Sequence, residues 1–231
     1  MYDIAINHMK NLHIKIEVNQ ELYCKNPTSS NLGQKILSKS IQMIGDLGFE
    51  SFTFKKLGEQ IQSPESSIYR YFKNKHILLV YLTSWYWSWI EYELVFATTN
   101  IKSPKERLLK CIHILTKPTM ENTSIPYINK VLLSNIIISE SIKSYHTINV
   151  DEENNKGYFE SYKMVVQRIS DILLEIKPNF QYSHMLVSTI IEGAHQQKYF
   201  AEHLPNLTDT NINNNTIENF YTEMTLNFIK K

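Results

Sequence analysis

The sequence predicts an all-α protein in which three short helices near the N-terminus are joined through one long fourth helix to a larger helical bundle. Three observations predict it. Apolar residues recur at spacings of three and four from about residue 34 to residue 229, which is the period of a helix. Ser, Thr or Asn stands at segment starts, several times with Pro next to it, as helix caps do. The 231 residues include only 6 Gly and 7 Pro, with 42% hydrophobic and 20% charged side chains, which excludes a collagenous, low-complexity or wholly disordered chain.

Ahead of the first helix, Leu12, Ile14, Ile16 and Val18 alternate with His13, Lys15 and Glu17. That period of two fits a short strand or an irregular arm, within an N-terminal extension over residues 1 to 30. Residues 34 to 47 carry Ile36, Leu37, Ile41, Ile44 and Leu47 at helical spacing, and Gly48 stands where a left-handed cap ends such a helix. Phe49 and Phe52 anchor the connection that follows. Thr53 caps a second helix over 54 to 61, with Phe54, Leu57 and Ile61 on one face. Ser63 and Pro64 read as a cap and first-turn pair opening a third helix to about Phe72, with Ile68 and Phe72 turned inward.

Asn74 caps the fourth helix, which runs to about Thr98. Leu78, Leu82, Trp85, Trp89, Tyr92 and Phe96 form one stripe, while Leu79, Tyr86 and Ile90 make a second flank apolar, so neighbours must enclose it. Ser103-Pro104 starts a helix that Lys117-Pro118 stops, and Pro126 starts another that fades near Tyr145. The polar run 146 to 156 reads as an exposed loop. Helices over 158 to 176, 182 to 203 and 216 to 229 complete the bundle. The boundaries expected are an extension over 1 to 30, a helix-turn-helix unit over 31 to 78 and a bundle over 79 to 231.

Several function classes drop out. The most apolar stretches, 80 to 90 and 131 to 139, fall short of the roughly 18 residues a membrane span needs. No secretory leader is recognisable at the N-terminus, and Cys24 and Cys111 stand too far apart for a disulfide framework or a zinc site, so a cytoplasmic protein without membrane contact is expected. The P-loop, G-x-G-x-x-G, G-x-S-x-G and C-x-x-C signatures are missing, and an enzyme is not expected. Glu192 and His195 have the spacing of a di-metal carboxylate motif, but the second such pair is lacking, so neither metal nor cofactor is expected.

The segment 53 to 75, TFKKLGEQIQSPESSIYRYFKNK, has the layout of a helix-turn-helix, whose second helix can enter a major groove. Gly58 costs about 1 kcal/mol against Ala inside a helix, which implies a close crossing there. Seven basic against four acidic side chains between 31 and 78 leave an excess of three positive charges, whereas 79 to 231 is net negative. Lys55, Lys56 and Lys75 lie in first turns of helices, where the dipole disfavours a cation unless a phosphate is present.

Residues 34 to 80 resemble the N-terminal domain of TetR-family transcriptional regulators. The likeness rests on Phe49, Thr53, Leu57, the run Ser67-Ile68-Tyr69-Arg70-Tyr71-Phe72, the pair Asn74-Lys75 and Leu78. Two positions depart from the family pattern: Gln62 stands where Gly is usual in the turn, and Pro64 where Ser or Thr caps the recognition helix. The resemblance implies that Thr53 and Lys55 contact phosphate or a base edge, and that Glu65, Ser66 and Ser67 form the reading turn. It also implies backbone contacts from Tyr69 and Tyr71, a base or phosphate contact from Arg70 and a phosphate contact from Lys75. Glu65, being acidic, suits a cytosine amino group rather than a phosphate.

The resemblance further implies a homodimer on a pseudo-palindromic double-stranded operator, formed through the helices near 158 to 176 and 182 to 203, with Gly193-Ala194 allowing close approach. It implies a small-molecule effector in the bundle that tilts the fourth helix and releases the operator, usually from a repressor. Trp85, Trp89, Tyr92, His113, Tyr127 and Tyr162 offer aromatic walls with polar handles, although core packing is the plainer reading of such residues. Trp89, His113 and Tyr162 are the ligand-contact candidates. The small charge excess and Glu65 leave open a second reading, a helical interaction protein that keeps the helix-turn-helix without reading sequence.

Overall fold

The computed structural model describes residues 16–120, 125–210 and 215–230. Among them every regular element is helical. The strand expected near residue 12 falls partly outside them, since residues 12 to 15 are not described. Residues 16 to 19 are not a strand; beyond them lie two 3-10 turns, Gln20–Leu22 and Pro27–Ser29, capped by the side chains of Asn19 and Asn26.

Helix α1 spans Asn31–Ser51, with Ser30 Oγ accepting from the Gly33 amide. It breaks at Gly48, whose φ of 75° is the left-handed geometry that glycine adopts without a Cβ clash. Helix α2, Phe54–Ile61, is capped by Thr53, whose Oγ1 accepts from the Lys56 amide at 3.2 Å. Helix α3 is short, Glu65–Tyr69, and its cap position is Pro64, with no side-chain cap. This corrects the expected Ser63 cap: the Ser63 amide is drawn back to the Gly58 carbonyl at 2.9 Å, which holds Ser63 in the turn.

Helix α4, Lys75–Thr98, starts at Asn74, whose side chain accepts from the Ile77 amide at 2.9 Å. It is buried without interruption from Ile77 to Trp87, as its apolar flanks require. Helix α5 is Pro104–Thr116. Helix α6, Lys130–Glu140, begins at an Asn129 cap instead of at Pro126, and the short α7, Ile142–Tyr145, follows it. The expected loop over 146 to 156 contains helix α8, Val150–Asn155, whose Asp151, Glu152 and Glu153 suit the positive end of the helix dipole. Helices α9 (Glu160–Ile176), α10 (Ser183–His203) and α11 (Thr216–Lys230) close the bundle.

Around α4 pack α5 and α9, α10 covers α9, and α11 lies on α5 and α10. The N-terminal unit joins this bundle through α4 itself and through α1 lying along α6. A single apolar cluster runs from Leu22 through Trp85 to Tyr221, so the two units share one core. At Gly193 an added Cβ would stand 1.9 Å from the Tyr221 hydroxyl, so this glycine lets α10 and α11 cross within the chain. Gly193 is therefore occupied in intrachain packing and Ala194 is buried, which corrects the expectation that this pair admits a second copy. No described helix is long and apolar enough to cross a membrane.

Candidate nucleic-acid interface

The turn between α2 and α3 fixes the angle of α3. A Cβ on Gly58 would stand 2.8 Å from the Ser63 carbonyl oxygen, so the chain crosses α2 at the one residue that permits it. Gln62 takes the left-handed conformation, φ 55° and ψ 47°, which explains why glycine suits that place and why glutamine can fill it only at some strain. Ile68 is fully buried beneath α3, with Phe72 beside it, and these anchors decide which face of α3 looks outward.

That outward face carries Ser66, Tyr69 and Arg70, all exposed, with Glu65 and Ser67 half-buried at its edges. The Tyr69 ring lies edge-on to Phe54 at 5.2 Å, and its hydroxyl donates to Glu65 Oε1 at 3.2 Å. Thr53 and Lys55 are exposed at the start of α2. The Thr53 hydroxyl oxygen is engaged as a cap, while the Lys55 ammonium has no partner among the described residues. Lys73 is also exposed.

Two of the residues expected to contact DNA are engaged within the chain. Tyr71 is only 3% exposed, its hydroxyl shares a hydrogen bond of 2.8 Å with Ser30 Oγ, and its carbonyl accepts from the Cys24 amide. It thus ties the arm and α1 to the end of α3, and of the two tyrosines only Tyr69 is exposed. The Lys75 ammonium donates to the carbonyls of Phe49, Glu50 and Phe52 at 3.1, 3.1 and 3.3 Å and sits 4.7 Å from the Phe49 ring centre. All three of its protons are committed to the carbonyl end of α1, a site that favours a cation through the helix dipole. Lys56 does the same, donating to the Ser51 carbonyl at 2.8 Å. Lys56 and Lys75 are therefore placed by the carbonyl end of α1, whereas Lys55 is not.

The aromatic pocket does not form as expected. Trp89 is buried under the Lys130 ammonium, Tyr162 stacks on Trp87 at 4.3 Å and donates to Glu192 Oε1, and His113 is exposed, paired with Glu218 at 2.9 Å. Burial first, and then the Glu192 charge, pushes the Tyr162 phenol pKa well up. These three residues do not converge. A cavity of about 550 Å³ lies instead where α1, α6, α10 and α11 meet, with Ile44, Gly48, Ser134, Ile138, Lys198 and Ile217 in its walls. Periodicity could not reveal it, because its walls come from both ends of the chain. Above it, Glu140 of α6 accepts from the Phe49 amide at 3.1 Å and pairs with Lys143, which also reaches Glu50.

A short outward helix held at a fixed angle over a second one, with free polar and cationic groups on its open face, defines a helix-turn-helix DNA-binding protein. Residues 36–82 match the family described as bacterial regulatory proteins, tetR family, so this segment carries that family's DNA-binding domain. No curated protein matches the chain. Among solved structures it is similar to the one described as apo AibR, with 12% identity, coverage of 83% of this chain and 96% of that one, and a TM-score of 0.47.

Proposed function

We propose that the chain represses transcription from a pseudo-palindromic operator, which it binds as a homodimer and leaves when a small-molecule effector binds. The observation that carries this reading is the open face of α3, where Ser66 and Arg70 stand free over a turn gated by Gly58. In it Ser66, Ser67 and Arg70 read base edges, Glu65 accepts from a cytosine amino group once Tyr69 releases it, and Thr53, Lys55 and Tyr69 hold phosphates. Tyr71 and Lys75 serve as positioning residues, through Ser30 and through the end of α1.

The dimer is built from the outer faces of α9 and α10. There Met164 is 51% and Met185 67% exposed, and Gln167 is hydrogen-bonded to His184 between the two helices. A two-fold contact on that face presents two copies of α3 to half-sites about one helical turn apart. The effector reading rests on the cavity touching α1: what fills it moves the unit that carries α3.

Arg70→Ala is expected to lower operator affinity by roughly 1–3 kcal/mol and to relax one operator position, and Lys55→Ala to flatten the salt dependence by about one unit of slope. Fluorescence anisotropy on a labelled duplex reads both, with circular dichroism confirming the fold. Unchanged affinity in both variants would remove α3 and the start of α2 from the interface.

A further inference from the structure

The cavity beneath α1 has a chemical character of its own. Ile44, Val131, Ile138 and Ile217, from three helices, form the aliphatic part of its wall, and polar residues such as Thr116, Ser134, Asn135 and Tyr199 form the rest. Its volume of about 550 Å³ lies within the range of small-ligand sites, roughly 300–1,000 Å³. Gly45 also borders it, and a Cβ there would meet nothing within 4 Å, so the space continues up to the α1 backbone.

The charges around the cavity are unequally paired. Glu140 is held by Lys143 and by the Phe49 amide, Glu218 by His113, and Lys117 reaches Glu93 at 3.3 Å. Glu202 is exposed and lies 3.9 Å from His203. Lys198 differs. Its ammonium donates to the carbonyls of Leu115 and Lys117 at 3.4 and 3.1 Å, which leaves one N–H and the whole positive charge without a carboxylate among the described residues. Lys198 is half-buried, and desolvation pulls its amine down to a pKa of about 8.

We propose that this cavity takes an amphipathic aliphatic carboxylate, its tail against Ile44, Ile138 and Ile217 and its head at the Lys198 ammonium. This deepens the effector reading and rests on it for the regulatory consequence, though not for the binding chemistry. A neutral ligand of the same shape leaves this cation without a counter-charge, and a cationic one is repelled by it. A carboxylate supplies both the missing acceptor and the missing charge. Its tail lies along α1 at Ile44 and Gly45, one turn before the Gly48 break and the Glu140 contact to Phe49. Occupation therefore presses on the joint between α1 and α6.

The test is calorimetric titration of the full chain with decanoate, decan-1-ol and decyltrimethylammonium, which share a tail and differ in head. Decanoate is expected to bind one per chain and at least tenfold tighter than the other two. Lys198→Met is expected to abolish that preference and Lys198→Arg to keep it. Gly45→Leu, which fills the space without touching the amine, is expected to block decanoate. Equal affinity for decanoate and decan-1-ol, or no saturable decanoate binding, overturns the proposal. So does an unchanged decanoate affinity in a folded Lys198→Met protein. Should Lys198→Met fail to fold, the head-group series on the unaltered protein and the Gly45→Leu variant decide. Duplex affinity read in parallel separates the two claims. Saturable decanoate binding with no change in duplex affinity supports the cavity's chemistry and refutes only the effector role.

Discussion

The Lys75 ammonium closes the carbonyl end of α1 by donating to Phe49, Glu50 and Phe52, while Lys55, twenty residues earlier, projects freely. The sequence shows both as lysines in a first turn. Nothing in it shows that carbonyls 23 to 26 residues upstream of Lys75 fold back within 3.3 Å, because that approach depends on the break at Gly48. Tyr71 was opaque for the same reason: the fully buried Ile68 and Phe72 set the face, but only the position of Ser30 gives the phenol a partner inside. Charged hydrogen bonds contribute about 1.5–3 kcal/mol each, less where they stay partly solvated. Lys75→Met is accordingly expected to cost about 2 kcal/mol of stability in urea denaturation, and Lys55→Met to cost nothing measurable. Equal effects of the two would show that the carbonyl contacts contribute no stability.

At the level of elements most boundaries were legible, since caps are local: Thr53, Asn74 and Ser103 accept from the amides three residues on, as expected of them. The helices that start elsewhere than their sequence signals imply, α3 and α6, begin at residues whose neighbours are held by distant or ambiguous partners. Pro64 follows a serine committed to Gly58, and Pro126 precedes the better cap Asn129. Gly58 sets the geometry of the reading element. Gly58→Ala is expected to destabilise by roughly 1–3 kcal/mol, because backbone at Ser63 and not a flexible side chain must give way, and to weaken duplex binding as α3 shifts. Normal stability together with normal operator affinity would show that the crossing tolerates a methyl group.

Helix α10 supplies a pH dependence. His195 is buried against Tyr86 and Trp87, and burial first, then the Lys198 charge, pulls its pKa from 6.5 to about 3. As pH falls through about 6.5 the unfolded chain takes up a proton that the folded chain refuses. The stability that the neutral imidazole carries is thus complete above that value and is lost progressively toward pH 3. The melting temperature is expected to fall on acidification below 6.5, and His195→Gln to flatten that decline. An identical decline in the variant would assign it to other groups.

For the whole molecule, the helical class and the division into a small reading unit and a bundle were readable from period and capping, because each segment carries its own pattern. The cavity and its clasp were not. They depend on α1 lying along α6 and on α10 and α11 crossing at Gly193, contacts between residues about 90 and about 28 apart in the chain. The helix-turn-helix unit thus meets the bundle through α4 and through the α1–α6 joint. The measurement that tests the central claim most directly is selection of random duplex DNA by the purified protein at low and at moderate salt, since phosphate contacts make affinity salt-dependent. The account predicts enrichment of one pseudo-palindrome, weaker at the higher salt and lost with Arg70→Ala. Failure to enrich any sequence at either salt would contradict it.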